Sequence, residues 1–175
     1  MPIIYKEEVL ETVNTAVWKI EEPEHYYLGQ LSLSPDNEKE LAGIVHPSKR
    51  LQFLASRLLL QQMVPDGKSI HLKRSEYRKP FLPSSNIHLT VSHSGPFAAV
   101  AVSRRSVGID IQEFDHRLVR LSQKFVGNKE REYINSKTNH LDYYHVIWGA
   151  KESVFKAYEK GRLDFKEHIE VAEFS

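Results

Sequence analysis

The chain contains no cysteine, which excludes disulfides, thiolate nucleophiles and cysteine-ligated zinc and suits a reducing compartment. It also carries almost no net charge. With 24 Lys+Arg against 23 Asp+Glu, bulk attraction to nucleic acid or to a membrane surface is excluded, and any charged partner must be met by a local patch. No apolar run nears the roughly 20 residues of a membrane-spanning helix. The N-terminus, MPIIYKEEVLETV, has acids in place of the basic start and apolar stretch of a signal peptide. A soluble, cytoplasmic protein is the expectation. The nine histidines are scattered without the spacing of metal ligands. At 175 residues the length suits one domain, or two small halves sharing a core, rather than two independent domains.

What is present alternates between strand and helix periods. TAVWKI (15–20) reads as a first strand, and SLSPDNEKELAGI as a helix with Ser34 at the N-cap and Pro35 at its first position. HPSKRLQFLASRLLLQQMV (46–64) repeats leucine at helical spacing, with Arg50 and Arg57 almost two turns apart on one face. YRKPFLPSSN (77–86) is an extended, proline-rich loop. IHLTVSHS, FAAVAVS (97–103) and VGIDIQ (107–112), separated by tight turns, predict three consecutive strands in an antiparallel meander. Helices are expected over 116–125, 128–136 and about 141–160, the last stopped by Gly161, with a closing strand in HIEVAEF. The order of elements suggests an α+β fold of two similar halves, 1–105 and 106–175, each a small antiparallel sheet packed on helices and related by a pseudo-twofold.

Several residues stand out for chemistry. Asp110 and Gln112, two apart in an expected strand, point to one face. With Glu152 from the long helix they would make an all-oxygen site suited to a hard cation such as magnesium. The alternative is that Asp110 pairs locally and Glu152 pairs with Lys156 at i,i+4. Ser92 and His93 are adjacent on a strand and so face opposite ways, which argues against a nucleophile with its base; they suit phosphate binding or a local turn. In WGAKESVFKAY, Ile147, Ala150, Val154, Phe155 and Tyr158 share an apolar arc with Trp148 at its edge, and Lys151 falls in its middle. The lysine stem would pack along that wall, its ammonium reaching a carboxylate or the substrate. Arg117, Arg120 and Lys124 form a basic ladder that is either a solvated face or a receiver for an acidic helix of a partner.

VGIDIQ followed some forty residues later by WGAKESVFK resembles the phosphopantetheinyl transferase superfamily, whose signatures are G-[IV]-D and W-x-x-K-E-[AS]-x-x-K. Trp148, Lys151, Glu152, Ser153 and Lys156 fall on the second in register. YRKPFL and NIHLTVSHSG match the family's K-P and S-H-[ST] segments. The position of the Asp motif is similar to that of the surfactin-synthetase type, a single-chain pseudo-dimer. The resemblance implies a monomeric enzyme that moves the phosphopantetheine arm of coenzyme A to a serine of an acyl or peptidyl carrier protein, with Mg2+ as cofactor and 3′,5′-adenosine diphosphate as product. It implies that Asp110, Glu152 and Lys156 are catalytic and that Asp110, Gln112 and Glu152 bind the metal. Arg50, Arg57, Lys79, Ser92, His93 and Lys156 would hold coenzyme A, and the carrier would dock on Arg117, Arg120 and Lys124. Two departures bear on this: relatives often have an acid at the Gln112 position, and they continue with further strands beyond the point where this chain stops, so an open sheet edge is expected. A non-catalytic carrier-protein or coenzyme A binder and a metal-dependent phosphohydrolase are the competing readings.

Overall fold

A strand that is apolar on both faces needs cover on both, and FAAVAVS meets that need at the centre of the fold. The computed structural model describes residues 3–64, 71–77, 79–83, 85–158 and 162–174. Its main sheet has four antiparallel strands: β1 (Ile3–Val9), β2 (Val13–Lys19), β5 (His88–Ser94) and β6 (Phe97–Ser103), in the order β1-β2-β6-β5. A two-stranded ladder, β3 (Lys73–Arg74) with β4 (Pro80–Phe81), lies in and before the proline-rich loop. β1 has no counterpart in the sequence reading. It is exposed along most of its length, and its acids hide the strand period. Leu10 and Glu11, both left-handed, turn it into β2.

One face of the sheet is covered by α3 (Pro47–Met63), whose Phe53, Leu54 and Leu58 join Trp18, Leu89 and Val100 in one core. Before it come α1 (Glu24–Leu28) and α2 (Pro35–Ala42), the latter capped by the Ser34 hydroxyl as expected. The Arg50 guanidinium ties all three together. It donates to both carboxylate oxygens of Glu24 and to the carbonyls of Leu41 and Ile44.

The C-terminal part is helical: α4 (Arg117–Leu121), continued by a 3-10 turn to Lys124, then α5 (Asn128–Asn135) and α6 (His140–Ala157). They share a second core of Leu118, Phe125, Ile134, Tyr144 and Ile147. The α+β class stands, but three expectations do not. Residues 107–112 join no ladder, because side chains take their backbone groups: the Ile111 N–H donates to Ser92 Oγ and the Ile109 carbonyl accepts from Lys156, while just beyond them the Glu113 N–H donates to Ser94 Oγ. HIEVAEF is also not a strand, so among the described residues every strand precedes Arg104 and the second half carries no sheet of its own. The stop assigned to Gly161 lies outside the described residues. Finally, Val154, Phe155 and Tyr158 are exposed rather than core. α6 buries the stripe Tyr144, Ile147 and Lys151 against its neighbours, which turns those three away.

Candidate active site

Gly108 brings the functional segment into place. A methyl group there would lie 1.8 Å from the Ser153 carbonyl oxygen, so only glycine lets this backbone rest directly on α6. Two residues on, Asp110 meets Lys156, whose ammonium donates to Asp110 Oδ1 at 2.7 Å, to Ser92 Oγ at 2.9 Å and to the Ile109 carbonyl at 3.1 Å. The Ser92 hydroxyl in turn donates to Asp110 Oδ1 at 2.8 Å. Sequence-distant residues are thus fused into one polar knot, and the helical Glu152–Lys156 pair gives way to Lys156–Asp110.

The knot leaves one oxygen over. Asp110 Oδ2 is buried and has no hydrogen-bond partner among the described residues, an expensive state for a carboxylate oxygen. Glu152 is partly buried nearby; burial is the main cause that pushes its pKa up, the Asp110 charge adds to it, and the Lys156 charge opposes it. Two carboxylates, one with an orphaned oxygen, between the 107–112 segment and α6 fit a hard divalent cation. Gln112 is exposed, with no side-chain hydrogen bond among the described residues. Those residues also gather no group of three His, Asp or Glu ligands. A cation here would complete its shell with water and substrate oxygens, as magnesium commonly does.

The pleat of β5 sends the next residue to the opposite face. His93 lines a cavity of about 350 Å³ with Lys49, Phe53, Arg57, Arg74 and Glu40. Its ring keeps a solvent-exposed edge, yet desolvation, then the charges of Lys49, Lys156 and Arg57, lower its pKa. The Arg57 guanidinium carbon lies over the Phe53 ring, 3.8 Å from its centroid, and the side chain pairs with Glu40 at 3.4 Å. Burial brings its pKa down to about 10, so it stays charged at neutral pH. Three cationic side chains, Lys49, Arg57 and Arg74, against the Glu40 carboxylate make the cavity an anion site. Lys79 lines an adjoining cavity of about 330 Å³ with Ser85 and His88. Arg50 is not brought to either cavity, since Glu24 and two carbonyls occupy its fork.

Three residues here had no reading in the sequence. Lys49 is an isolated basic side chain; in the fold it donates to Gln52, which donates to the Gly95 carbonyl and so ties the β5–β6 turn to α3. Glu130 is fully buried, accepting from the Gly127 N–H, the Val171 N–H and Lys151. Its place three residues after Gly127 is a recognisable cap signal. The third, His145, contacts the segment after Gln112.

Against this geometry, the resemblance carried by the four motifs is borne out. Residues 106–175 match the family model described as the 4′-phosphopantetheinyl transferase superfamily. The chain is 30% identical over 112 residues to the 4′-phosphopantetheinyl transferase gsp of Aneurinibacillus migulanus, covering 63% of this chain and 47% of that one. It is 25% identical over 137 residues to the 4′-phosphopantetheinyl transferase Sfp of Bacillus subtilis (strain 168), covering 74% and 61%. A putative 4′-phosphopantetheinyl transferase of Haemophilus influenzae is 29% identical over 123 residues, covering 64% and 51%. The chain therefore spans about half the length of the curated relatives it matches.

Proposed function

We propose that this protein transfers the 4′-phosphopantetheine arm of coenzyme A to a serine hydroxyl of an acyl or peptidyl carrier protein, releasing 3′,5′-adenosine diphosphate. One juxtaposition supports this reading above the rest. The unpartnered Asp110 oxygen and the half-buried Glu152 lie on one side of β5, and a cationic cavity lies on the other.

A serine hydroxyl is a poor nucleophile at neutral pH and needs a base. Glu152 is that base: its raised pKa makes it a stronger proton acceptor than an ordinary carboxylate. As it takes the hydroxyl proton, the serine oxygen bonds to the phosphorus that carries the pantetheine arm, and the bond from that phosphorus to the departing nucleotide breaks. Lys156 sits one turn from Glu152 on α6 and offsets the charge that collects on the leaving phosphate. Lys49, Arg57 and His93 hold the nucleotide phosphates in the cavity, with Lys79 in reach of the same ligand from its neighbour. Magnesium would be held by Asp110 and Glu152 and would supply Lewis-acid polarisation of the pyrophosphate oxygens. No helix among the described residues is long and apolar enough to cross a membrane, and we place the reaction in the cytoplasm, carried out by a monomer.

The test is incubation with coenzyme A, magnesium and a panel of acyl and peptidyl carriers, read by the mass of each carrier. A phosphopantetheine mass gain that Glu152→Ala abolishes is expected; no gain on any carrier would sink the proposal. A non-catalytic coenzyme A or carrier binder is the second reading, favoured by the exposed amide at Gln112. Coenzyme A binding without transfer, equal in wild type and Glu152→Ala, would select it. Release of the nucleotide from coenzyme A without any carrier would point instead to a phosphohydrolase.

A further inference from the structure

We propose that His145 is a positioning residue for carrier docking, fixing Phe114 and the start of α4 to the long helix. This rests on the transferase reading above. After Glu113, whose N–H is held by Ser94 of β5, the chain passes beside α6. Phe114 is 63% exposed, yet its ring is held: it stacks on the His145 imidazole with centroids 4.4 Å apart and planes inclined by 18°. One residue later the Asp115 N–H donates to His145 Nε2 at 2.9 Å. That nitrogen must carry a lone pair, so the bond is made by the tautomer with its proton on Nδ1.

Asp115 passes the anchorage on. Its carbonyl accepts from the Leu118 N–H at 3.1 Å, and its carboxylate accepts from the Arg117 N–H and Nε, each at 2.8 Å. α4 has only five residues and cannot hold itself in water. His145 supplies the external fixed point from an eighteen-residue helix.

What is positioned is a surface with both apolar and basic parts. Phe114, Val119 and Leu121 are exposed. The Arg117 charge is taken by Asp115, whereas Arg120 and Lys124 have no ion pair among the described residues. Unpaired cations beside exposed apolar side chains are complementary to an amphipathic acidic helix, and the carrier protein is the occupant we assign. A bare ladder of three cations would need no histidine. A preset aromatic does, because leaving Phe114 free would add its ordering to the cost of each encounter.

Two variants separate the two contacts. His145→Phe keeps a ring for the stack and loses the acceptor; His145→Gln keeps an acceptor oxygen and loses the ring. With an acidic carrier that the wild type modifies, His145→Phe should raise the carrier KM by roughly three- to ten-fold, the worth of one hydrogen bond. The coenzyme A KM and kcat should hold. His145→Gln should recover part of the loss. Independently of turnover, the ¹⁵N spectrum should show His145 Nε2 unprotonated, and the Asp115 amide resonance should move in His145→Phe. An unchanged carrier KM in His145→Phe, or an Asp115 amide that does not move, overturns the inference while leaving the transferase intact. A wild type that modifies no carrier overturns the transferase reading, and the inference with it.

Discussion

Lys151→Met is the most demanding test of how the C-terminal half is built. Lys151 is 0% exposed, and its ammonium donates to Glu130 Oε2 at 2.7 Å and to the Phe125 and Phe165 carbonyls at 2.8 Å each. Methionine fills the stem's volume and removes all three bonds. Glu130 keeps the Gly127 and Val171 N–H groups but faces a hole where its counter-charge was. Breaking one member of a buried pair costs about 3–5 kcal/mol, a large part of the roughly 5–15 kcal/mol that holds a domain folded. The double variant Lys151→Met/Glu130→Leu sharpens the argument. A bare buried pair can be replaced by apolar residues at little cost, but this one also serves two carbonyls and two N–H groups, each costing about 1–3 kcal/mol when left unpaired. The double should therefore recover little. The chain's two tryptophans provide the assay, since Trp18 lies in the sheet core and Trp148 packs on Phe125 and Phe165. Urea unfolding followed at Trp148 in a Trp18→Phe background should show the main loss. A loss below about 1 kcal/mol, the scale of a surface pair, or a double variant more stable than wild type, would refute the reasoning.

Gly108→Ala should fold with the 107–112 segment displaced from α6; transfer activity should fall by at least ten-fold while Trp18 fluorescence stays native, and full activity would contradict the close approach. Arg57→Ala should raise the coenzyme A KM, whereas Arg50→Ala should lower the melting temperature with that KM unchanged; steady-state kinetics beside thermal unfolding separates the two. His93 has a folded pKa below its unfolded value of about 6.5. Its contribution to stability is therefore complete above that value and is lost as pH falls through it toward the folded pKa. His93→Gln should flatten this part of the stability profile, and an NMR titration with a midpoint at or above 6.5 would reverse the sign.

Periodicity made α2, α3, α5 and α6 legible, because each buries one consistent face, while alternation in β5 and an unbroken apolar run in β6 marked that pair. It failed where backbone groups find side-chain partners. VGIDIQ has a strand's alternation, but Ser92 and Lys156 take hydrogen bonds that a neighbouring strand would have taken. It failed again in α6, where the apolar arc through Val154 and Phe155 is broader than the face that packs. Lys151, at the C-terminal end of the buried stripe, is the better guide, since a fully buried lysine marks where a carboxylate must be. Within the candidate site, Asp110, Ser92 and Lys156 follow from motif register. The spacing of Glu130 from Gly127 signals a cap but not its bonds to Lys151 and Val171, and neither the place of Lys49 in the cavity nor the contact of His145 with Phe114 and Asp115 is encoded by spacing along the chain.

The β5–β6 turn sets more than a connection. Gly95, at φ +49°, and Pro96 close a two-residue link that pairs Ser94 with Phe97 and so locks Ser92 opposite Ala99 and His93 opposite Ala98. Because side chains alternate along a strand, sliding β5 by a single residue would exchange the two compartments: the imidazole would swing toward Asp110 and the hydroxyl into the cationic cavity. Every residue would survive such a slip, and neither compartment would. A one-residue insertion between His93 and the turn is thus a frame error in three dimensions, erasing the division of labour while leaving composition, charge and hydrophobicity nearly untouched.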